Sequence, residues 1–227
     1  MKLIIFIHTC EKYEESRAKL IESTWGNRED IVFITDNPKS SLTRHIYIGE
    51  YKKGPTYHPE NVIKMFHIFM EKYNDYDYFM MIDDDSYLYV DKLKMYLSFF
   101  DKSDSYLIGD FLNWVTVHSG PNIVCDYMKW PGGGPGLVFT KKAIITFLQL
   151  IHKFNINYTN HDVWLHHLFM LSNKTIKRIH CPGFHQFNAP ELLKKYVNNF
   201  EDNSIISVHL EHNMSLLQKL HNNSNIH

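Results

Sequence analysis

The chain has 227 residues, 44% hydrophobic and 15% aromatic, which is enough for one substantial core and short for two. Its 24 basic and 25 acidic side chains leave a formal net charge of -1, so no broad positive field draws a polyanion, and nucleic acid is not an expected partner. The cysteines Cys10, Cys125 and Cys181 form no CxxC pair, which excludes a zinc ribbon and a disulfide-dense scaffold.

The run LIIFIHT, Leu3 to Thr9, is continuous, β-branched and aromatic, as a strand covered on both faces requires. It is far shorter than a signal-peptide core, and nowhere does the chain reach the roughly 20 apolar residues of a spanning helix. Glu14 to Trp25 places Ala18, Leu20, Ile21 and Trp25 at helical spacing and stops at Gly26-Asn27. Strands are predicted at IVFITD, Ile31 to Asp36, and at HIYI, His45 to Ile48, separated by a turn from Pro38 to Ser41. From Pro59 to Tyr73, Val62, Met65, Phe66, Phe69 and Met70 line one face of an amphipathic helix. The strand YFMMI, Tyr78 to Ile82, runs straight into Asp83-Asp84-Asp85, and Val90 to Phe100 reads as helix again. Strands at Tyr106 to Ile108, Leu137 to Phe139 and Ile205 to Val208, with helices at Lys141 to Lys153 and Asp162 to Leu171, complete an α/β alternation. A single domain over residues 1–220 is expected, followed by a frayed polar tail at 221–227.

Three consecutive carboxylates repel one another, because like charges about 4 Å apart cost roughly 4 kcal/mol at an effective dielectric near 20. Ligands of open α/β sheets gather at the carboxyl ends of strands, where this cluster falls. A hard divalent cation held against substrate phosphates would neutralise both partners. From the residues alone, a metal site and a solvated loop capping the helix from Val90 stay open alternatives. An EF-hand is excluded, since Asp83-x-Asp85-x-Tyr87 lacks the turn glycine and the late glutamate.

Other segments accompany the triplet in a definite order: SRAKLIESTWG from Ser16 to Gly26, IVFITD, NVIKMF from Asn61 to Phe66, and YFMMIDDDSYLYV. WPGGGPGLVFT from Trp130 to Thr140, HDVWLHH, and SVHLE from Ser207 to Glu211 follow. In this order they resemble the Fringe-like and β-1,3-glycosyltransferase group, inverting transferases of GT31 type. The resemblance implies a GT-A glycosyltransferase fold, a Rossmann-like α/β/α sandwich with a mixed, mainly parallel central sheet. It further implies transfer of a sugar from a UDP-sugar donor to a hydroxyl of a glycan or glycoprotein, with a β-1,3 linkage.

Carried over by that resemblance, Asp85 and His209 bind the metal, manganese in the family's usual practice with magnesium as the alternative, while Asp83 and Asp84 contact the ribose or the donor sugar. Asp162 matches the base that deprotonates the acceptor hydroxyl, and also reads as a helix N-cap. Gly133 and Gly134 let backbone approach the donor sugar, although Pro135 stands where the family has alanine. Arg17, Asp36 and Lys64 match positions near the nucleotide, with surface ion pairing as the plain reading of Arg17. Trp114 and Trp130 are candidates for stacking on an acceptor ring or for the core. A second metal cluster at His161, His166 and His167 is disfavoured, because adjacent residues leave a helix on different faces.

Two other classes use similar residues. A catalytically silent carbohydrate-binding homologue would keep the fold without turnover. A metal-dependent nucleotidyltransferase or phosphohydrolase would use the carboxylates but leave the GGGPG and HLE segments unexplained. The lack of a signal or anchor and the few cysteines favour a cytoplasmic protein, with the Golgi or endoplasmic reticulum lumen as the alternative if an anchor has been removed.

Overall fold

The unbroken apolar run near the amino terminus becomes strand β1 (Leu3–His8), and its composition follows from its place between two cores. Leu3, Ile5 and Ile7 enter one cluster, whereas Ile4 and Phe6 enter the other. Strands β2 (Ile31–Thr35) and β4 (Tyr78–Asp83) divide in the same way, which is why they too read as continuous hydrophobic runs. The structure is a computed structural model and describes residues 1–50, 57–118, 124–153, 161–186 and 204–224.

The remaining strands are β3 (His45–Tyr47), β5 (Ser86–Leu88), β6 (Tyr106–His118), β7 (Val124–Gly132), β8 (Leu137–Thr140), β9 (Lys177–His180), β10 (Phe184–His185) and β11 (Ser207–His209). The main sheet has eight strands in the order β3-β2-β1-β4-β8-β6-β7, with β9 paired beside β6. Strands β1 to β4 are parallel, whereas β8 is antiparallel to both β4 and β6. This is the mixed, mainly parallel α/β sheet expected. A smaller sheet runs β10-β11-β5.

The first connection contains α1 (Glu11–Tyr13), a π-helical turn at Glu14–Ala18 and α2 (Lys19–Glu22), so helix begins three residues before the predicted Glu14. Helices α3 (Tyr57–Lys72), α4 (Val90–Leu97), α5 (Lys141–Leu150) and α6 (His161–Leu171) match the predicted segments to within a few residues at each end. Helix α7 (Ser215–Ser224) was not predicted; it carries the first residues of the expected frayed tail, and 225–227 lie outside the described residues. Ala18, Ile21, Leu93, Leu97, Leu217 and Leu220 cover one sheet face; Phe66, Phe69, Ile144, Phe147, Trp164 and Leu168 cover the other. Among the described residues no helix is long and apolar enough to cross a membrane.

Three features of this topology bring distant segments together. The chain winds from β1 outward to β2 and β3 and then returns to place β4 on the other side of β1, making a switch point at which His8 pairs with Asp83. Strand β8 starts opposite Met81, so the glycine turn before it reaches the same end of the sheet. In the small sheet, His209 pairs with Ser86 directly after the triplet.

The ring of Phe66 lies within 5.9 Å, 5.1 Å and 6.1 Å of the ring centroids of Phe79, Phe139 and Phe147, tying α3 to the sheet and to α5. Removing that ring leaves a cavity that the packed sheet cannot close. Phe66→Ala is expected to lower unfolding free energy by about 3–5 kcal/mol in urea titration, with an unchanged denaturant slope.

Candidate active site

The triplet does not act as one acidic patch, because the turn after β4 sends its carboxylates in different directions. Asp84 is buried and accepts hydrogen bonds from Thr9 Oγ1 at 2.7 Å and Arg17 Nη1 at 2.9 Å. Arg17 Nη1 also reaches Asp85 Oδ2 at 3.2 Å, and His212 Nδ1 stands 2.8 Å from the same oxygen. The other oxygen of Asp85, Oδ1, lies 3.1 Å from His209 Nε2. Asp83, half-buried, completes a cluster with Asp85 and His209 whose ligand-type atoms all lie within 4.8 Å of one another.

Counter-charge decides how each carboxyl titrates. Burial pushes Asp83 up to about 7, and the neighbouring Asp85 charge adds to the shift. Burial also raises Asp84, against the hydrogen bonds from Thr9 and Arg17. For Asp85 the cost of burial is outweighed by the His209 hydrogen bond and by the nearby cationic groups, which hold it below the usual carboxylate range. His209 is correspondingly raised, because its bond to Asp85 overcomes its burial. Two carboxylates and an imidazole converging in this way fit a divalent cation that accepts both oxygen and nitrogen, as manganese does; magnesium would draw mainly on the carboxylates.

Arg17 forms the ion pairs of its plain reading, but it is buried, with 8% of its surface exposed, so only the surface position is corrected. The π-helical turn widens the helix where Arg17 leaves it, and its guanidinium lies 3.8 Å from the centre of the Tyr13 ring. Thr9, Cys10, Tyr13, Arg17 and the triplet line a cavity of about 240 Å³ that also includes His209 and His212.

The glycine segment packs against the site from below. A Cβ at Gly133 would come 2.5 Å from His161 Nε2, and one at Gly134 would come 2.6 Å from His209 Cγ. These glycines therefore admit imidazole rings, a use of close approach different from the expected sugar contact. Ser86 Oγ donates to the Gly134 carbonyl at 2.7 Å and Ser207 Oγ to the Pro135 carbonyl at 2.6 Å, linking the triplet, glycine and closing-histidine segments. Proline at 135 is compatible with this bond, since it keeps the carbonyl that accepts from Ser207.

Asp162 lies in the first turn of α6, beside the histidine that touches Gly133, and its Oδ1 accepts the Val163 N–H at 2.8 Å. It sits one residue inside the helix, not at the N-cap position. Burial pushes its carboxyl up to about 6, and its charge in turn raises Asp83, which puts the two in one electrostatic neighbourhood.

Of the expected site residues, Asp36, Lys64, Gly133, Gly134 and Asp162 do not line the cavity. Asp36 accepts the Glu11 N–H at 2.7 Å and so anchors α1, and Lys64 Nζ donates to the Ile48 carbonyl at 2.8 Å. Trp114 and Trp130 fall on β6 and β7, with their side chains outside the described residues. His161, His166 and His167 form no ligand cluster among the described residues. Sequence reasoning missed His212 and Gln186. For His212 the usable signal was its place just after SVHLE, where Glu211 (φ 48°) and His212 (φ 70°) take left-handed backbone that non-glycine residues seldom adopt.

Replacing Arg17 leaves two buried carboxylates without their fixed cation. Arg17→Met is expected to destabilise the metal-free protein by about 3–5 kcal/mol in chemical denaturation at neutral pH, with the loss shrinking in acid as the carboxylates protonate.

Comparison with known proteins gives this geometry a lineage. A mouse protein named beta-1,3-glucosyltransferase is 22% identical over 198 residues, covering 86% of this chain. The chain spans only 38% of the length of that curated relative. Among solved structures, a glycosyltransferase involved in the glycosylation of the major capsid of PBCV-1 aligns with a TM-score of 0.52 at 14% identity, over 98% of this chain and 100% of that one. That likeness establishes the shared GT-A fold. A family model described as Fringe-like matches residues 1–225, running through the triplet, the glycine turn and the closing histidine alike, and the chain belongs to the Fringe-like family.

Proposed function

We propose that residues 1–220 form one transfer domain of an inverting, metal-dependent glycosyltransferase, moving a sugar from a UDP-sugar to a hydroxyl of a glycan or glycoprotein. The observation that carries this reading is the convergence of Asp83, Asp85 and His209 at the switch point of the sheet. Family membership and the glycosyltransferase relatives support sugar transfer, and the name of the mouse relative supports a β-1,3 linkage.

Asp83, Asp85 and His209 would hold manganese, or magnesium as the alternative, which supplies positive charge for the diphosphate of the leaving nucleotide. Arg17 keeps Asp84 and Asp85 in place, and with Tyr13 it forms a wall against which the nucleotide can bind. Gly133 and Gly134 keep side chains out of the floor beside His209. Asp162 acts as the base. Its carboxylate takes the acceptor hydroxyl proton while that oxygen bonds to the anomeric carbon from the face opposite the leaving group. The bond from that carbon to the diphosphate oxygen breaks with its electron pair leaving on the nucleotide, so a single displacement inverts the centre. A carboxyl near 6 is ionised at neutral pH yet more basic than an ordinary aspartate, which suits this role.

A panel of UDP-sugars tested for manganese-dependent thermal stabilisation and for UDP release checks the proposal. Stabilisation without release from any donor and acceptor pair would favour a silent carbohydrate-binding homologue, and neither response would sink the reading. Asp85→Asn is expected to abolish manganese-dependent donor binding, whereas Asp162→Asn keeps binding and loses about 10²–10⁴-fold in transfer rate. The rate of the unmodified protein should fall about tenfold per pH unit below about 6, as Asp162 becomes protonated. Because the fold raises this carboxyl above its unfolded value, its ionisation costs stability as pH rises toward 6 and beyond. Asp162→Asn should therefore melt higher than the unmodified protein at pH 8 and level with it near pH 4.

A further inference from the structure

Gln186 stands behind His209 with its main chain and its side chain both engaged. Its N–H donates to Oδ2 of the buried Asp110 at 3.1 Å, and Asp110 pairs across β6 and β7 with Gly132 at the edge of the glycine turn. Its side-chain Oε1 accepts the Gly134 N–H at 2.9 Å. A backbone N–H can only donate, so the amide oxygen must face Gly134, and the amide nitrogen is left pointing to His209. That nitrogen lies 3.3 Å from His209 Nδ1, and the Gln186 main-chain carbonyl lies 3.4 Å from the same atom.

These contacts determine how the imidazole is presented. An imidazole Nδ1 either accepts or donates, and Gln186 supplies a partner for each case. When Nε2 turns its lone pair toward a cation, the proton must sit on Nδ1, where the Gln186 carbonyl accepts it. The ring also rests on Gly134, the residue that the Gln186 amide fixes from the other side. Ring orientation and the surface the ring lies on thus both depend on one residue, through its main chain and its side chain.

We infer that Gln186 is the positioning residue of this centre: its side chain grips Gly134, against which the His209 ring rests, and its main-chain carbonyl accepts the Nδ1 proton, so that Nε2 faces Asp83 and Asp85. The inference rests on the proposed cation site. Its test therefore includes one reading with metal and one without.

Binding of manganese to the full chain is followed by the electron paramagnetic resonance of the free ion, with His209→Ala as control. Gln186→Leu is expected to bind manganese about 10–100-fold more weakly. Gln186→Glu keeps an acceptor for Gly134 and sets an acceptor against Nδ1–H, so it should bind at least as tightly as the unmodified protein. Gln186→Met carries the same expectation as the leucine variant should that one fail to fold. Leucine and methionine variants within about twofold of the unmodified protein would overturn the role, since they remove the side-chain hold on Gly134 that supports the ligating ring, and loss of an outer support of a ligating histidine costs about tenfold or more. A glutamate variant as weak as the leucine one would overturn it too, by showing that only packing matters. Manganese binding that survives His209→Ala would remove the cation-site reading instead. In that event two-bond proton–nitrogen spectra of the metal-free protein, with the ring neutral, still judge Gln186. Without metal the unmodified protein should show one His209 tautomer, with Nε2–H toward Asp85 and Nδ1 accepting the Gln186 amide N–H, whereas Gln186→Leu, left with the carbonyl at Nδ1, should show averaged nitrogen shifts; unchanged shifts would overturn the inference.

Discussion

Three carboxylates gathered where two buried parallel strands end must be neutralised by groups brought from elsewhere in the chain, and much of the architecture serves that requirement. Arg17 reaches Asp84 and Asp85 from the first helical connection, and His209 and His212 reach Asp85 from the far end of the chain. None of these partners is local. A fixed guanidinium is the stronger device of the two, because it stays charged at every pH the protein meets, whereas an imidazole supplies charge only when protonated. Among the described residues Asp83 is the member without such a fixed cation, and its carboxyl is the one pushed up to about 7. The acidic excess is therefore concentrated at the oxygen atoms that converge with His209.

The small sheet makes this convergence possible. Strand β5 is only three residues long and would not hold by itself, but it is paired with β11, and β11 is paired with β10. Through those pairings Ser86 and His209 stand opposite each other, and the Leu210 N–H donates to the Asp85 carbonyl at 2.8 Å. The glycine turn is held by Ser86 and Ser207 from the same two strands. Site and scaffold are in this sense one object. The same closeness explains the glycines: with His161 and His209 rings against the backbone at Gly133 and Gly134, any side chain would displace one of these rings.

Much of the main fold is legible in the sequence because buried parallel strands and amphipathic helices leave strong patterns. LIIFIH, IVFIT and YFMMI must feed two cores at once, so every position is apolar. Strands β5, β7, β9 and β10 leave weaker traces. KRIH at β9 is polar and pairs with β6, β10 has two residues, and β7 carries Pro131; each exists because a partner strand is already in place. The expected roles of the triplet were likewise only partly readable. Its order along the chain says that the three residues are adjacent but not that Asp84 turns to Thr9 and Arg17 while Asp83 turns to His209.

The sequence by itself determined the fold class, the family and the identity of the residues that meet at the switch point, because hydrophobic periodicity and ordered motifs are written one residue after another. Only the tertiary structure decided how those residues divide their work. It made Arg17 a buried counter-charge, placed Asp36, Lys64 and Asp162 outside the cavity wall, and brought in His212, which follows directly on a motif, and Gln186, which no motif includes. The physical reason is that charge pairing and ring orientation depend on distances of a few ångströms between residues far apart in the chain, and those distances exist only once the strands have paired.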